Sequence, residues 1–255
     1  MKSPLIGHTG DLFRQFIELI YPPRCLLCGA FLRQDRARAD HRDLPFCLPC
    51  FQGLTPVLSP LCPICGVPHR VGSEDRVCEN CLRRRPHFEK TRAPYLYTGG
   101  LMTLIHQFKY GGKSNLAGSL GPLLASFART WIAPRPALLV MPVPLHPKRL
   151  RERGFNQSLL LARHLARALE AELDFLTLRR IRYTQPQTGL KSDERRKNVR
   201  RAFGIQGTGN PLKGRTILLV DDVATTGNTL NECARMLKRS GARQVFGLVL
   251  ARTMG

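Results

Sequence analysis

Two adjacent carboxylates, Asp221 and Asp222, follow four apolar residues, Ile217 to Val220, and precede the run Ala224-Thr225-Thr226-Gly227-Asn228-Thr229. Paired acids of this kind accept hydrogen bonds from vicinal hydroxyls. A short loop of small and hydroxyl residues presents backbone N–H groups to an anion. The apolar run reads as a buried parallel strand, and a helical pattern (Leu230, Cys233, Ala234, Leu237) begins after the loop. The acids therefore fall at a strand's carboxyl end, where open α/β sheets bind ligands. The chemistry that fits is a sugar phosphate, with the acids on its hydroxyls and the loop and helix start on its phosphate. An ordinary capped strand end needs one acidic or hydroxyl residue; this segment carries two acids and three threonines.

A second chemistry lies in the cysteines. Eight of the nine form C-x-x-C pairs: Cys25/Cys28, Cys47/Cys50, Cys62/Cys65 and Cys78/Cys81. Each pair presents two thiolates to one metal, and two pairs complete a tetrahedral site for structural zinc. The gaps of 18 and 12 residues suit ribbon-type sites, and Gly29 and Gly66 follow a knuckle where a left-handed turn is needed. Two zinc ions bound sequentially are expected, with an interleaved pairing also open. An iron–sulfur cluster fits the spacing less well. His41, His69 and His87 are spare candidates that eight thiolates do not require. Cys233 stands alone and reads as a core residue.

These groups must be positioned by elements legible in the pattern. Residues 11–20 read as a short amphipathic helix. Residues 82–94 read as a basic, proline-bounded connector. A short strand near Tyr95 leads into a helix bearing Leu101, Leu104, Ile105 and Phe108, which stops at Gly111-Gly112. Lys109 and Lys113 near that stop read as ordinary helix C-terminal charge. Residues 137–147 supply a second buried strand followed by a proline-rich loop, Pro142-Val143-Pro144-Leu145. A turn at Gly154–Gln157 enters a helix from Ser158 to about Leu169, then a strand near Leu173–Leu178. Residues 179–201 are basic and poor in core residues: a solvated loop and charged helix, a mobile catalytic flap, or a polyanion contact surface. Tyr183 in this stretch is suited to stacking on a base. Residues 242–252 form the last strand.

The chain has 255 residues, enough for one sizeable α/β domain and a small module. Its 40 Lys+Arg against 18 Asp+Glu give a net charge of +22. That excess points to a polyanionic partner: nucleic acid, an anionic membrane surface or a phosphate-rich ligand. No run approaches a membrane span, and the N-terminus lacks a signal-peptide layout. A cytoplasmic protein is expected, in which cysteines bind metal rather than pair as disulfides.

The acid pair with Thr-Thr-Gly-x-Thr resembles the phosphoribosyl pyrophosphate (PRPP) loop of type I phosphoribosyltransferases. Four segments, Phe108–Lys113, Met141–Ser158, Arg182–Val199 and Leu218–Leu230, together with the cysteine module, resemble the ComF family of competence-associated proteins. The resemblance covers roughly residues 20–252. It implies an α/β fold, type I phosphoribosyltransferase-like: a mostly parallel sheet flanked by helices, with an N-terminal cysteine-rich double zinc ribbon. The corresponding divisions are 1–20 (amphipathic helix), 21–85 (double zinc ribbon) and 95–255 (phosphoribosyltransferase-like). It implies a link to natural transformation near the inner face of the membrane, with single-stranded DNA, a competence helicase and DNA-processing proteins as partners. Carried over by position, Asp221 and Asp222 face the ribose and are the catalytic candidates. Ala224 to Thr229 hold the 5′-phosphate, and Pro142, Val143, Pro144 and Leu145 approach a pyrophosphate bridged by Mg²⁺. Arg179, Arg180, Arg182, Arg195, Arg196, Lys197, Arg200 and Arg201 are the candidate nucleic-acid contacts. The later half also resembles glutamine PRPP amidotransferases, but the chain lacks an N-terminal cysteine nucleophile, so glutamine chemistry is not expected. Three functions stand open: a DNA-uptake protein that binds PRPP as ligand or regulator, an active phosphoribosyltransferase with an unknown nitrogenous acceptor, and a scaffold with a vestigial loop. No segment clearly supplies a base-binding hood.

Overall fold

The structure is a computed structural model that describes residues 20–32, 46–132, 137–184, 192–207 and 212–254; at 192, 193, 195 and 196 it describes the backbone alone. Of the helix expected at 11–20, residues 11–19 lie outside the described residues, and Ile20 is helical. The chain divides into two compact units, residues 1–53 and 54–255.

The described residues of the first unit include a cysteine knuckle and a short helix. Cys25 N–H donates to the Ala30 carbonyl (2.7 Å) and Gly29 N–H to the Cys25 carbonyl (2.9 Å). Gly29 takes φ +73°, the left-handed turn the knuckle requires. Helix α1, Leu48–Gln52, starts on Cys47, so Cys47 and Cys50 fall on one short helical turn.

The second unit opens with the same motif. Cys62 N–H donates to Val67 O and Gly66 N–H to Cys62 O, both at 2.8 Å, and helix α2, Glu79–Arg83, starts on Cys78. The chain then enters the sheet directly. Strand β1, Lys90–Arg92, lies in the stretch expected to be a connector. Its three residues are too few and too polar to show periodicity, and only pairing with β8 defines them. Strand β2 (Tyr95–Leu96) precedes helix α3, Gly99–Tyr110, which buries Leu101, Leu104, Ile105 and Phe108, the predicted stripe. Next come helix α4 (Ala117–Trp131), strand β3 (Leu138–Pro142), helices α5 (Pro147–Arg153) and α6 (Gln157–Ala168), and strand β4 (Glu172–Leu173).

The single strand expected over 173–178 is divided. β4 joins the main sheet, whereas β5, Leu178–Arg180, pairs antiparallel with β6, Phe203–Ile205, in a separate ribbon. Helix α7, Ser192–Val199, lies between them in sequence. Strand β7 (Thr216–Ala224), helix α8 (Asn228–Arg239) and strand β8 (Gln244–Arg252) complete the fold.

The main sheet is parallel, in the order β1-β8-β7-β3-β4, with β2 also on β8. β7 is central, and its residues 216–220 are all buried, as expected of a strand covered on both faces. α8 buries Leu230, Cys233, Ala234 and Leu237, the predicted face, with Cys233 a core residue. α4 and α6 pack where Gly121 meets His164: a Cβ on Gly121 would lie 2.4 Å from the His164 ring. No helix among the described residues is long and apolar enough to cross a membrane.

Candidate functional site

The acid pair directly follows the five consecutive buried residues, 216–220, of β7. Asp221 Oδ1 accepts from the Ser158 hydroxyl at 2.8 Å and from the Asp222 backbone N–H at 2.9 Å. Ser158 is placed by the turn before α6, where Gly154 takes φ +79° and the Asn156 side chain caps the helix by accepting from Ser158 N–H. Asn156 also donates to Val143 O at 3.1 Å, tying that turn to the loop after β3. Burial and the neighbouring Asp222 carboxylate push the Asp221 carboxyl up to about 6, against the opposing pull of Lys109 and Ser158.

Asp222 is buried and pairs with Lys109 Nζ at 2.9 Å. This corrects the expectation for Lys109. It does sit in the last turn of α3, but that turn lies over the end of β7, and its charge is matched by a carboxylate rather than by helix carbonyls. Burial alone would lower its pKa; Asp222 more than offsets that and holds the ammonium above its ordinary value.

Around the pair is a cleft of about 410 Å³. One wall carries Thr225 and Thr229, and Val143 and Leu145 belong to another. Pro142 and Pro144 are buried and are not among its walls. Gly227, at φ +72°, is the N-cap of α8, and Asn228 is the first residue of that helix. The loop therefore delivers the helix N-terminus to the cleft, as expected of a phosphate site. Thr226 is exposed. Ala224 is buried, and its carbonyl accepts from Thr253 N–H at 3.1 Å; Thr253 also lines the cleft.

The remaining wall is cationic and aromatic: Arg149, Arg153 and Arg180 with Tyr97, His106 and Tyr110. Arg153 donates to Gln157 Oε1 (3.0 Å) and lies 5.0 Å from the centre of the Tyr110 ring. Sequence reasoning singled out neither Arg149 nor Arg153 and gave Ser158 only as a helix start. They lie far from the acid pair in the chain, and the sole signal was their place within the segments that resemble one family.

The basic segment is divided by the structure. Arg180 turns into the cleft wall, donates to Thr184 Oγ1 and stands 5.4 Å from the centre of the Phe203 ring. Arg179, Arg182, Lys197, Arg200 and Arg201 are exposed. Arg182 donates to the Asn198 and Arg200 carbonyls at 2.8 Å, fastening the ribbon to the end of α7. Arg201 N–H donates to the buried Glu232 carboxylate at 2.7 Å. Only the backbone of Arg195 and Arg196 is described. Tyr183 meets Lys148 at 4.7 Å and His146 at 5.4 Å.

The cysteines group sequentially, as Cys25-Cys28-Cys47-Cys50 and Cys62-Cys65-Cys78-Cys81, with the four sulfurs of each set within 4.8 Å of one another. Cys28 and Cys47 approach to 3.6 Å, as do Cys65 and Cys78. Thiolates at about 2.3 Å from a tetrahedral zinc stand about 3.8 Å apart, so both sets fit structural zinc. The second set is tied to the sheet. The Cys65 carbonyl accepts from Thr91 Oγ1 (2.8 Å) and from the buried Arg252 guanidinium, and Thr91 N–H donates to Ile64 O at 2.8 Å.

A parallel sheet with an acid pair and a small-residue loop at the end of its central strand, preceded by two tetra-cysteine sites, defines a phosphoribosyltransferase-fold protein with a double zinc ribbon. Sequence comparison agrees: residues 16–82 match the double zinc ribbon domain and residues 156–254 the phosphoribosyl transferase domain. The chain is 37% identical over 198 residues to the DNA utilization protein YhgH of Salmonella typhi, covering 76% of this chain and 85% of that one. It is 35% identical over 180 residues to Competence protein F of Haemophilus influenzae (68% and 78%) and 30% over 239 residues to Competence protein ComFC of Bacillus subtilis (90% and 95%). The chain belongs to the ComF family.

Proposed function

We propose that this protein acts in DNA uptake or utilisation, binds single-stranded DNA, and holds PRPP with Mg²⁺ in the cleft at the end of β7. One observation carries the PRPP reading: Asp221 and Asp222 are fixed by Ser158 and Lys109 beside a loop that brings Thr225, Thr229 and the α8 N-terminus to the same cleft. In this reading Asp221 and Asp222 accept the ribose hydroxyls, and Ala224 to Thr229 wrap the 5′-phosphate. Val143 and Leu145, from the stretch 142–145 at the end of β3, face the pyrophosphate, with Mg²⁺ neutralising part of its charge. Arg149, Arg153 and Arg180 supply further positive charge to a polyanion. The names of the relatives, DNA utilization protein and competence protein, support the biological setting, and the net charge of +22 suits a nucleic-acid partner. The direct test is anisotropy of labelled single-stranded DNA across salt, with and without PRPP–Mg²⁺. Salt-steep binding supports the DNA reading, and its absence refutes it. Calorimetry of PRPP–Mg²⁺, with binding lost in Asp222→Asn, tests the cleft separately.

The aromatic wall of Tyr97, His106 and Tyr110 favours a second reading, an active phosphoribosyltransferase, because it offers a planar acceptor a surface beside the acid pair. The acceptor nitrogen would form a bond to C1 of the ribose as the C1–O bond to pyrophosphate breaks, with pyrophosphate leaving with the electron pair and the proton of the acceptor N–H passing to solvent. Pyrophosphate release with a nitrogenous base, lost in Asp222→Asn, supports it.

A further inference from the structure

A second cavity, of about 450 Å³, lies away from the acid pair, at the amino end of β8. Its apolar walls are Trp131, Ile132, Phe246, Pro63 and Ile64. Trp131, at the end of α4, meets Phe246 edge-on at 6.2 Å and stacks on Phe127 at 6.5 Å, so its indole is fixed before any ligand arrives. Arg85 and Lys90 stand at the same cavity, both exposed and neither in an ion pair among the described residues. Arg84 extends the exposed charge, whereas Arg83 pairs with Glu79 at 3.5 Å. The carboxylate there, Glu89, is matched by Lys238 at 2.7 Å and so does not oppose an anion.

A preset indole beside apolar walls and two uncommitted cations is how proteins hold a single strand: the base stacks and the cations follow the phosphates. We propose that this cavity is a base-stacking site for single-stranded DNA, with Trp131 as platform and Arg85 and Lys90 on the flanking phosphates. It rests on the reading that the protein binds single strands. It adds a contact site at the opposite end of the sheet from the PRPP cleft and outside the basic segment 179–201.

Trp131 is the only tryptophan in the chain, so emission excited selectively at tryptophan, beyond tyrosine absorption, reports this cavity alone. The full chain is titrated with short oligothymidylate and, as control, with an abasic strand of equal length, while anisotropy of the labelled strand follows total binding. Saturable quenching by oligothymidylate at the concentration where anisotropy rises, and none by the abasic strand, is expected. The exposed double change Arg85→Glu/Lys90→Glu is expected to weaken binding and move the quench midpoint with it. Trp131→Ala is expected to weaken it about 5- to 100-fold. Equal quenching by both strands overturns stacking. Anisotropy binding with unchanged emission, and unchanged affinity in Arg85→Glu/Lys90→Glu, overturns this site and leaves the DNA reading standing. No anisotropy change with any strand overturns both.

Discussion

Asp222 and Lys109 carry opposite charges 2.9 Å apart, with side chains only 8% and 18% exposed. Removing one member of such a pair strands the other charge in a poorly solvated place, at a cost of about 3 kcal/mol. Lys109→Met and Asp222→Asn are each expected to destabilise by that order in urea unfolding, and the double change to recover most of the loss. Asp221 behaves differently. Its folded carboxyl titrates near 6 against an ordinary 3.8, so between those values the folded chain holds a proton that the unfolded chain has released. The stability this contributes is complete below about pH 4 and is lost as pH rises through 6. Asp221→Asn keeps an oxygen for the Ser158 hydroxyl and drops the buried charge. It is expected to raise stability at pH 7 by about 1–3 kcal/mol, to flatten the pH dependence of unfolding between pH 4 and 7, and to weaken PRPP–Mg²⁺ binding by calorimetry. Wild-type affinity for PRPP–Mg²⁺ is expected to fall below pH 6, as Asp221 takes up its proton. The acids were legible because they are adjacent and follow an apolar run. Lys109 was not, because its partner is remote in sequence and a lysine in a last helical turn has a sufficient local explanation.

Elements are held together at a few close approaches that periodicity does not encode. The stripes of α3 and α8 and the cysteine knuckles follow from spacing alone, and the structure reproduces them. β1 could not be read, since Lys90-Thr91-Arg92 becomes a strand only by pairing with Phe246 to Leu248. The division between β4 and β5 was also hidden, because apolar content shows that a strand exists but not which sheet receives it. Two glycines of α4 test the close approach to α6. A methyl at Gly121 would strike the His164 ring, whereas Gly118 has nothing within 4 Å of its would-be Cβ. Gly121→Ala is expected to lower stability by about 1–3 kcal/mol and Gly118→Ala to raise it by up to about 1 kcal/mol, both measured by urea unfolding. Arg252 makes a second such approach. It is 4% exposed, donates to the Cys65 carbonyl, and precedes Thr253, whose N–H holds the carbonyl of Ala224. Arg252→Met is expected to speed zinc release from the second cysteine set to a chromophoric chelator and to weaken PRPP–Mg²⁺ binding, since one strand end supports both.

Over the whole molecule, the charge of +22 states that a polyanion is favoured but not where it lies. The structure narrows the choice by showing which cations are committed. Arg180 faces the cleft and Arg182 is spent on two carbonyls. Arg179 in β5 donates to Gln206 Oε1 at 2.7 Å yet stays exposed, as do Lys197 in α7 and Arg200 just after it. Each phosphate neutralised on a single strand contributes about 0.7 to the slope of log affinity against log salt. If these three side chains each meet one phosphate, reversing all three to glutamate is expected to flatten that slope by about 2. The loss should be similar for every sequence tested, because phosphates carry no base identity. The Trp131 cavity would respond in the opposite sense. Changing its indole should alter affinity at all salt concentrations while leaving the slope nearly intact, because stacking releases no counterions. Measuring both variants against one oligonucleotide, from low to physiological salt, separates the electrostatic surface from the stacking site. Adding PRPP–Mg²⁺ to the same titration asks whether the cleft at the carboxyl end of β7 influences either. Since the cavity lies at the sheet's other end, saturating PRPP is expected to leave Trp131 quenching by oligothymidylate in place.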